Sequence, residues 1–218
     1  LLYCDGGPSM MMLESIDRWM TAMVSDEGSG GEGPDVSMEA VVISKERGVI
    51  CGTFVIDRLL ETHYPSCSVE WKVSEGSIVE VGDEVLRISG NGVEMLRSER
   101  VLLNIIGRLS GISTNSSRWI NEAGSMGVAS TRKVDWGLLD KWAVHVGGGL
   151  THRLSREDAL MIKDSEVLSS RVGDETEDEA LARLILEIDM DTNSFFTVIE
   201  VRSVEQALTV ADIWKRIQ

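Results

Sequence analysis

Cations gather in this sequence where short apolar runs end. Arg132 and Lys133 follow the run 128–131, and Lys163 follows the run 159–162. His152 and Arg153 come after the glycine turn Gly147-Gly148-Gly149. If the apolar runs are parallel strands, their carboxyl ends face the crevice in which α/β folds bind ligands. An arginine fork donates two parallel hydrogen bonds to a carboxylate, whereas a lysine is a point charge suited to phosphate. Taken singly, each of these residues is an ordinary surface cation. Several of them at successive strand ends describe a pocket for a small anion.

The elements that must position them follow from the hydrophobic period. Met95, Leu102, Ile105, Ile106 and Leu109 lie on one helical face. Beyond them the expected order is strand 128–131, helix 138–146, strand 159–162, a helix, strand 195–201 and helix 204–217. Gly147-Gly148-Gly149 closes the first of these helices, where a positive φ costs glycine little. Asp174 and Glu177 read as a capping box for the second, which places Leu181, Leu184, Ile185 and Ile188 on one face. Apolar strands alternating with helices indicate a parallel sheet, as in a barrel.

Upstream, the period is 2. Runs 40–44 and 49–54 flank a turn at 46–48, and runs 69–73, 77–81 and 84–88 are parted by Glu75-Gly76 and Gly82-Asp83. This predicts a small sandwich of short strands. Before it, Leu13, Ile16, Met20 and Met23 have helical spacing, and the Gly/Pro-rich run 28–34 breaks that helix. The expected fold class is α/β, with a domain boundary near Gly107. Residues 1–106 form an N-terminal α/β sandwich with a linking helix, and residues 107–218 form part of an open α/β barrel carrying the site.

Composition narrows the partners. The chain has 218 residues, 43% hydrophobic and 26% charged, and a net charge of −15. Those fractions suit a globular protein rather than a disordered or fibrous one. So acidic a chain lacks the surplus of Lys and Arg that nucleic acid or an anionic membrane requires. No apolar run approaches a membrane span, and residues 1–12 lack the basic lead of a signal peptide. Cys4, Cys51 and Cys67 show no CxxC spacing, which argues against a disulfide framework or zinc site and points to a reducing cytoplasm. His63, His145 and His152 are too scattered to mark a metal.

Several motifs then occur in a fixed order: Ser98-Glu-Arg100-Val-Leu-Leu-Asn104, Leu109-Ser-Gly-Ile-Ser-Thr114, Thr131-Arg-Lys133, Gly147-Gly-Gly149, His152-Arg153 and Met161-Ile-Lys163-Asp164. In that order the chain resembles quinolinate phosphoribosyltransferase, the carboxylating nicotinate-nucleotide pyrophosphorylase. The likeness extends more weakly to Gly48–Gly52 and to Val198-Ile-Glu200-Val201. It implies transfer of phosphoribose from phosphoribosyl pyrophosphate to quinolinate with loss of carbon dioxide, assisted by Mg2+. By the same resemblance Arg132, His152, Arg153 and Lys163 hold the quinolinate carboxylates. Arg100 reaches the site of a partner subunit in a homodimer or an oligomer of dimers, Lys133 contacts the phosphoribosyl donor, and Glu200 stabilises its ribose.

The chain departs from the family pattern in three places, one of them the single acid Glu200 on a strand that often shows two. Val134-Asp135-Trp136-Gly137 stands where the family continues with Thr and a Pro-Gly pair, and Ser165-Glu166 stands where it has Asn-His. A paralogue of the molybdenum-transport-associated pyrophosphorylase type and a non-catalytic regulatory homologue are the alternatives. Only three barrel strands are counted before Gln218, so the sequence is expected to be a fragment of a longer protein, complete for quinolinate and incomplete for the phosphoribosyl donor.

Overall fold

The computed structural model describes residues 2–4, 7–28, 33–188 and 196–217. It forms two compact units, 1–152 and 153–218. The expected boundary residue Gly107 lies inside an unbroken helix of the first unit.

The first unit opens with a two-residue antiparallel pair, β1 (Tyr3–Cys4) and β2 (Gly7–Pro8), and helix α1 (Met10–Glu27). Ser9 caps α1 by accepting the Met12 N–H, and Met12, Ile16 and Met20 are fully buried at helical spacing. Of the predicted breaker 28–34, residues 29–32 lie outside the described residues. Strands β3 (Ser37–Ile43), β5 (Ser68–Trp71) and β7 (Glu84–Asn91) form an antiparallel sheet in the order β3-β7-β5. The short strands β4 (Gly48–Val49) and β6 (Ile78–Val79) pair separately.

Here the structure corrects the sequence reading. The run 49–54 is not a strand beyond Val49, and it does not pair with the run at 40–44. Instead helix α2 (Thr53–His63) begins within it and buries Val55, Ile56, Leu59 and Leu60. The cause is a cap that comes from a distance. The Glu75 carboxylate accepts the Thr53 N–H at 2.8 Å and the Gly52 N–H at 3.0 Å, satisfying the open end of the helix. Gly52 itself sits at φ 107, a conformation that favours glycine. The expected run of short strands is therefore interrupted by a helix, and the expected α/β sandwich is a sheet packed with helices.

Helix α3 (Gly92–Ala123) spans 32 residues and buries a stripe running from Met95 through Leu109 to Ser116. Its small polar residues hold β4 by backbone contacts: Thr114 Oγ1 accepts the Val49 N–H at 2.8 Å and Ser110 Oγ accepts the Cys51 N–H at 3.0 Å. Helix α4 (Leu138–Val146) packs on α3. In the triglycine that follows, only Gly148 has a positive φ, 94°. Gly147 is required for a different reason, because a Cβ there would overlap the Ser113 carbonyl and the Ser116 side chain of α3. The predicted strand 128–131 reduces to a single parallel bridge between Ala129 and Leu150.

The second unit contains one parallel pair, β8 (Leu160–Ile162) with β9 (Thr197–Ile199), and helices α5 (Asp164–Ser170), α6 (Glu177–Leu186) and α7 (Val204–Ile217). Phe195, predicted to start the last strand, lies outside the described residues. Ile162, Val167, Ala180, Leu181 and Ile185 form its core, covered by Ile199, Val210, Ile213 and Trp214 among others. The capping box of α6 is Thr176 with Glu179, two residues later than predicted. Thr176 Oγ1 accepts the Glu179 N–H at 3.2 Å while the Glu179 carboxylate accepts the Thr176 N–H at 2.8 Å. Threonine at the cap with glutamate at the third helical position completes both bonds, which Asp174 with Glu177 does not. The architecture is mixed α/β, and among the described residues the parallel sheet has two strands rather than three.

Candidate active site

In the second unit, β8 ends at Ile162, and a cavity of about 450 Å³ opens beside the next residue, Lys163. Arg153, Arg156, Lys163, Ser165 and Glu166 supply its polar lining. Arg153 is buried at 8% exposure, and its Nη1 donates to the Ala159 carbonyl at 3.4 Å. The loop between them is shaped by Asp158, whose carboxylate accepts the Leu154 and Ser155 N–H groups at 2.7 and 3.0 Å. Burial alone would raise the Asp158 carboxyl, but these donors outweigh it and hold it below the usual range. Predicted Arg153 and Lys163 thus share one cavity. Arg156 is a third cation that sequence reasoning missed; its signal was its place three residues after Arg153, in a loop rather than at a strand end.

Glu200 follows β9. Its N–H donates to the Ile162 carbonyl at 2.9 Å, extending the ladder, and its carboxylate accepts the Asp164 N–H at 3.3 Å. The carboxylate therefore stands beside the end of β8, next to Lys163. Arg202 pairs with Asp164 at 3.1 Å and with Glu177 at 3.2 Å, and the guanidinium holds the Asp164 carboxyl below the usual range. Ser165-Glu166 has a structural use, since the Glu166 carboxylate accepts the Lys163 N–H at 2.8 Å and closes the first turn of α5.

The first unit holds the other predicted residues. Arg132 and Lys133 are exposed in the loop between the Ala129 bridge and α4, with the Lys133 N–H donating to Thr131 Oγ1 at 3.0 Å. His152 is half-buried and is the one non-glycine residue with a positive φ, 57°, among the described residues. Arg100 is exposed on α3 and paired with Glu27.

The Arg132 loop is anchored at its far end by Asp140 of α4. The Asp140 carboxylate accepts the Asp135 and Trp136 N–H groups, each at 3.0 Å, and takes two bonds from Arg108 at 2.9 and 2.8 Å. Arg108 also lies 4.9 Å from the Trp136 ring centroid, and Trp136 stacks on Trp19. Bonding to Asp140 raises the Arg108 guanidinium above its ordinary value.

Residues 20–110 match the family model of the quinolinate phosphoribosyl transferase N-terminal domain, and residues 112–214 match that of the C-terminal domain. The chain belongs to the quinolinate phosphoribosyltransferase family. A chloroplastic nicotinate-nucleotide pyrophosphorylase [carboxylating] of Arabidopsis thaliana is 35% identical over 82% of this chain and 51% of its own length. A mitochondrial quinolinate phosphoribosyltransferase [decarboxylating] 2b of Nicotiana tabacum is 33% identical over 82% of the chain and 50% of its own. The crystal structure of NadC from Streptococcus pyogenes superposes with a TM-score of 0.74 at 26% identity, covering 89% of this chain and 71% of that one. The chain therefore spans about half the length of these plant relatives. In this chain the segment Val134-Asp135-Trp136 is held by the Asp140–Arg108 clamp. Among the described residues no helix is long and apolar enough to cross a membrane.

Proposed function

We propose that this protein acts as a quinolinate phosphoribosyltransferase, joining quinolinate to phosphoribosyl pyrophosphate and releasing pyrophosphate and carbon dioxide. The observation that carries the reading is the cavity lined by Arg153, Arg156 and Lys163 at the end of β8, in a chain of this family. Quinolinate bears two adjacent carboxylates, so a set of cations both binds it and turns the ring nitrogen toward the ribose carbon. Arg132, His152, Arg153 and Lys163 are assigned that task. Orienting two substrates can by itself lower a barrier by roughly 7–11 kcal/mol.

Lys133 is assigned to the phosphoribosyl donor and Glu200 to the oxocarbenium-like ribose that forms as pyrophosphate departs. Once the ring nitrogen is ribosylated, the C–C bond to the adjacent carboxylate breaks, carbon dioxide leaves, and the electron pair left on the ring carbon beside the cationic nitrogen takes a proton from solvent. Among the described residues no three His, Cys, Asp or Glu side chains gather to hold a metal. That suits Mg2+ carried on the pyrophosphate, since Mg2+ keeps several waters and takes only one or two carboxylates, here Glu200. Bound in this way, the cation would neutralise the leaving pyrophosphate.

The exposed position of Arg100 supports its assignment to a partner's site in a homodimer, and the cysteine usage supports a reducing compartment such as the cytoplasm, although the plant relatives carry organellar names. Incubation with quinolinate, phosphoribosyl pyrophosphate and Mg2+, followed by detection of nicotinate mononucleotide, tests the activity. Quinolinate binding by calorimetry tests the cation set without the donor: Arg132→Ala should weaken it at least tenfold, and an unchanged affinity would remove Arg132 from the site. The molybdenum-associated paralogue and the regulatory homologue are not favoured by the relatives named above.

A further inference from the structure

We propose that Lys141 is a positioning residue, whose buried side chain ties the loop carrying Arg132 and Lys133 to the segment carrying His152 and so sets the spacing between their cations. The purpose assigned to that spacing rests on the quinolinate reading; the tie itself does not.

Lys141 lies in α4 at 2% exposure. Lysine is almost never buried to that degree without partners, because its removal from water is unfavourable. An apolar side chain of the same length would fill the space more cheaply. The Lys141 Nζ instead donates to the Thr151 carbonyl at 2.5 Å and to the Ser130 hydroxyl at 3.3 Å. Those two acceptors belong to different segments. Ser130 is two residues before Arg132, and Thr151 is the residue before His152.

Little else in the backbone joins the two segments. The Leu150 N–H donates to the Val128 carbonyl and the Ser130 N–H to the Leu150 carbonyl, both at 2.8 Å, around the single bridge at Ala129. A normal strand pair would continue with further rungs toward Arg132 and His152. Here side chains take over: the Ser130 hydroxyl donates to the Thr151 carbonyl at 2.8 Å, and the Lys141 amine reaches both groups. The neighbouring Asp140 anchors the same loop at Asp135 and Trp136. Two consecutive buried charged residues of α4 thus hold the Arg132 loop from either end, and Lys141 alone of the two also reaches the His152 side.

Lys141→Met is the test, because the Ser130 hydroxyl still satisfies the Thr151 carbonyl and the packing volume is kept. Two quantities are read: amide exchange at Ser130 and Leu150, and quinolinate affinity by calorimetry. The expected result is at least tenfold faster exchange at both amides and at least tenfold weaker binding. Ser113→Ala is the control for a purely structural loss. It removes a buried bond of 2.7 Å from α3 to the Ala143 carbonyl of α4 and touches neither segment. It should lower the melting temperature while leaving exchange and affinity alone. Unchanged exchange in Lys141→Met, or an affinity within twofold of the parent, overturns the proposal. If that variant does not fold, Ser130→Ala removes one acceptor of the amine and should weaken binding about threefold; an unaltered affinity there overturns it equally. A parent chain that fails to bind quinolinate sinks the functional reading, while the exchange comparison still decides the tie.

Discussion

Asp140→Ala should destabilise the first unit by about 3 kcal/mol. The substitution removes a carboxylate whose side chain is 6% exposed and which accepts four hydrogen bonds. Two of them come from backbone N–H groups and two from the Arg108 fork. Removing one partner of a buried pair typically costs 3–5 kcal/mol, because the other charge remains without compensation. The low end applies here, since the Arg108 side chain is 31% exposed and water recovers part of the loss. With roughly 2–4 °C per kcal/mol for a domain of this size, the melting temperature should fall by about 6–12 °C. Calorimetry of the single variants Asp140→Ala and Arg108→Ala and of the double variant isolates the pair, with an expected coupling of about 1–2 kcal/mol. A fall of less than about 2 °C in Asp140→Ala would show that the loop after Lys133 is held by something other than this carboxylate. A coupling below about 0.5 kcal/mol would remove Arg108 from the clamp.

Gly147→Ala places a methyl group against the Ser113 carbonyl and should cost about 1–3 kcal/mol, read as a lower denaturation midpoint; Gly111→Ala, with open space around its Cβ inside α3, should instead gain up to about 1 kcal/mol. Asp17 pairs with Arg58 at 2.6 Å, and this bond holds its carboxyl below the ordinary value. A depressed folded value gives stability that is present above the unfolded pKa and lost as pH falls through the folded one. Arg58→Met should therefore cost under about 1 kcal/mol at pH 7, both side chains being more than a third exposed, and nothing at a pH well below the carboxylate range. A cost independent of pH would assign the loss to packing. Cys51 is fully buried, and burial pushes its thiol far up, so mass spectrometry should find it unalkylated in the folded protein and alkylated after unfolding. Labelling of Cys51 under native conditions contradicts that placement.

What could be read from the sequence was local and periodic. Helix α7 has the predicted bounds of 204–217 and α4 those of 138–146, because apolar residues at helical spacing mark both. Cations following apolar runs were also legible, and Arg153 and Lys163 do line one cavity at the end of β8. Helix α2 was not legible, since its first residues are aromatic and β-branched and its cap, Glu75, is more than twenty residues away. The same holds for the shift of the α6 cap to Thr176, where two acceptable boxes overlap and only packing chooses between them.

The loop after Lys133 shows why the remainder was hidden. Val134-Asp135-Trp136 reads as a loss, because the resemblance leads one to expect a Pro-Gly pair there to preset the backbone. The anchor of the loop is assembled from Asp140 on the next helix, Arg108 on the preceding one and Trp19 on the first. None of these has a spacing that marks it, and in sequence Asp140 looks like an exposed helix acid. Lys141 is hidden in the same way: a charged residue in an apolar helix reads as an interruption of the buried face, when burial is what brings its amine to Ser130 and Thr151. Patterns of apolar residues place the elements. The buried charges Asp140 and Lys141, which bond to Asp135 and Trp136 and to Ser130 and Thr151, obey geometry alone.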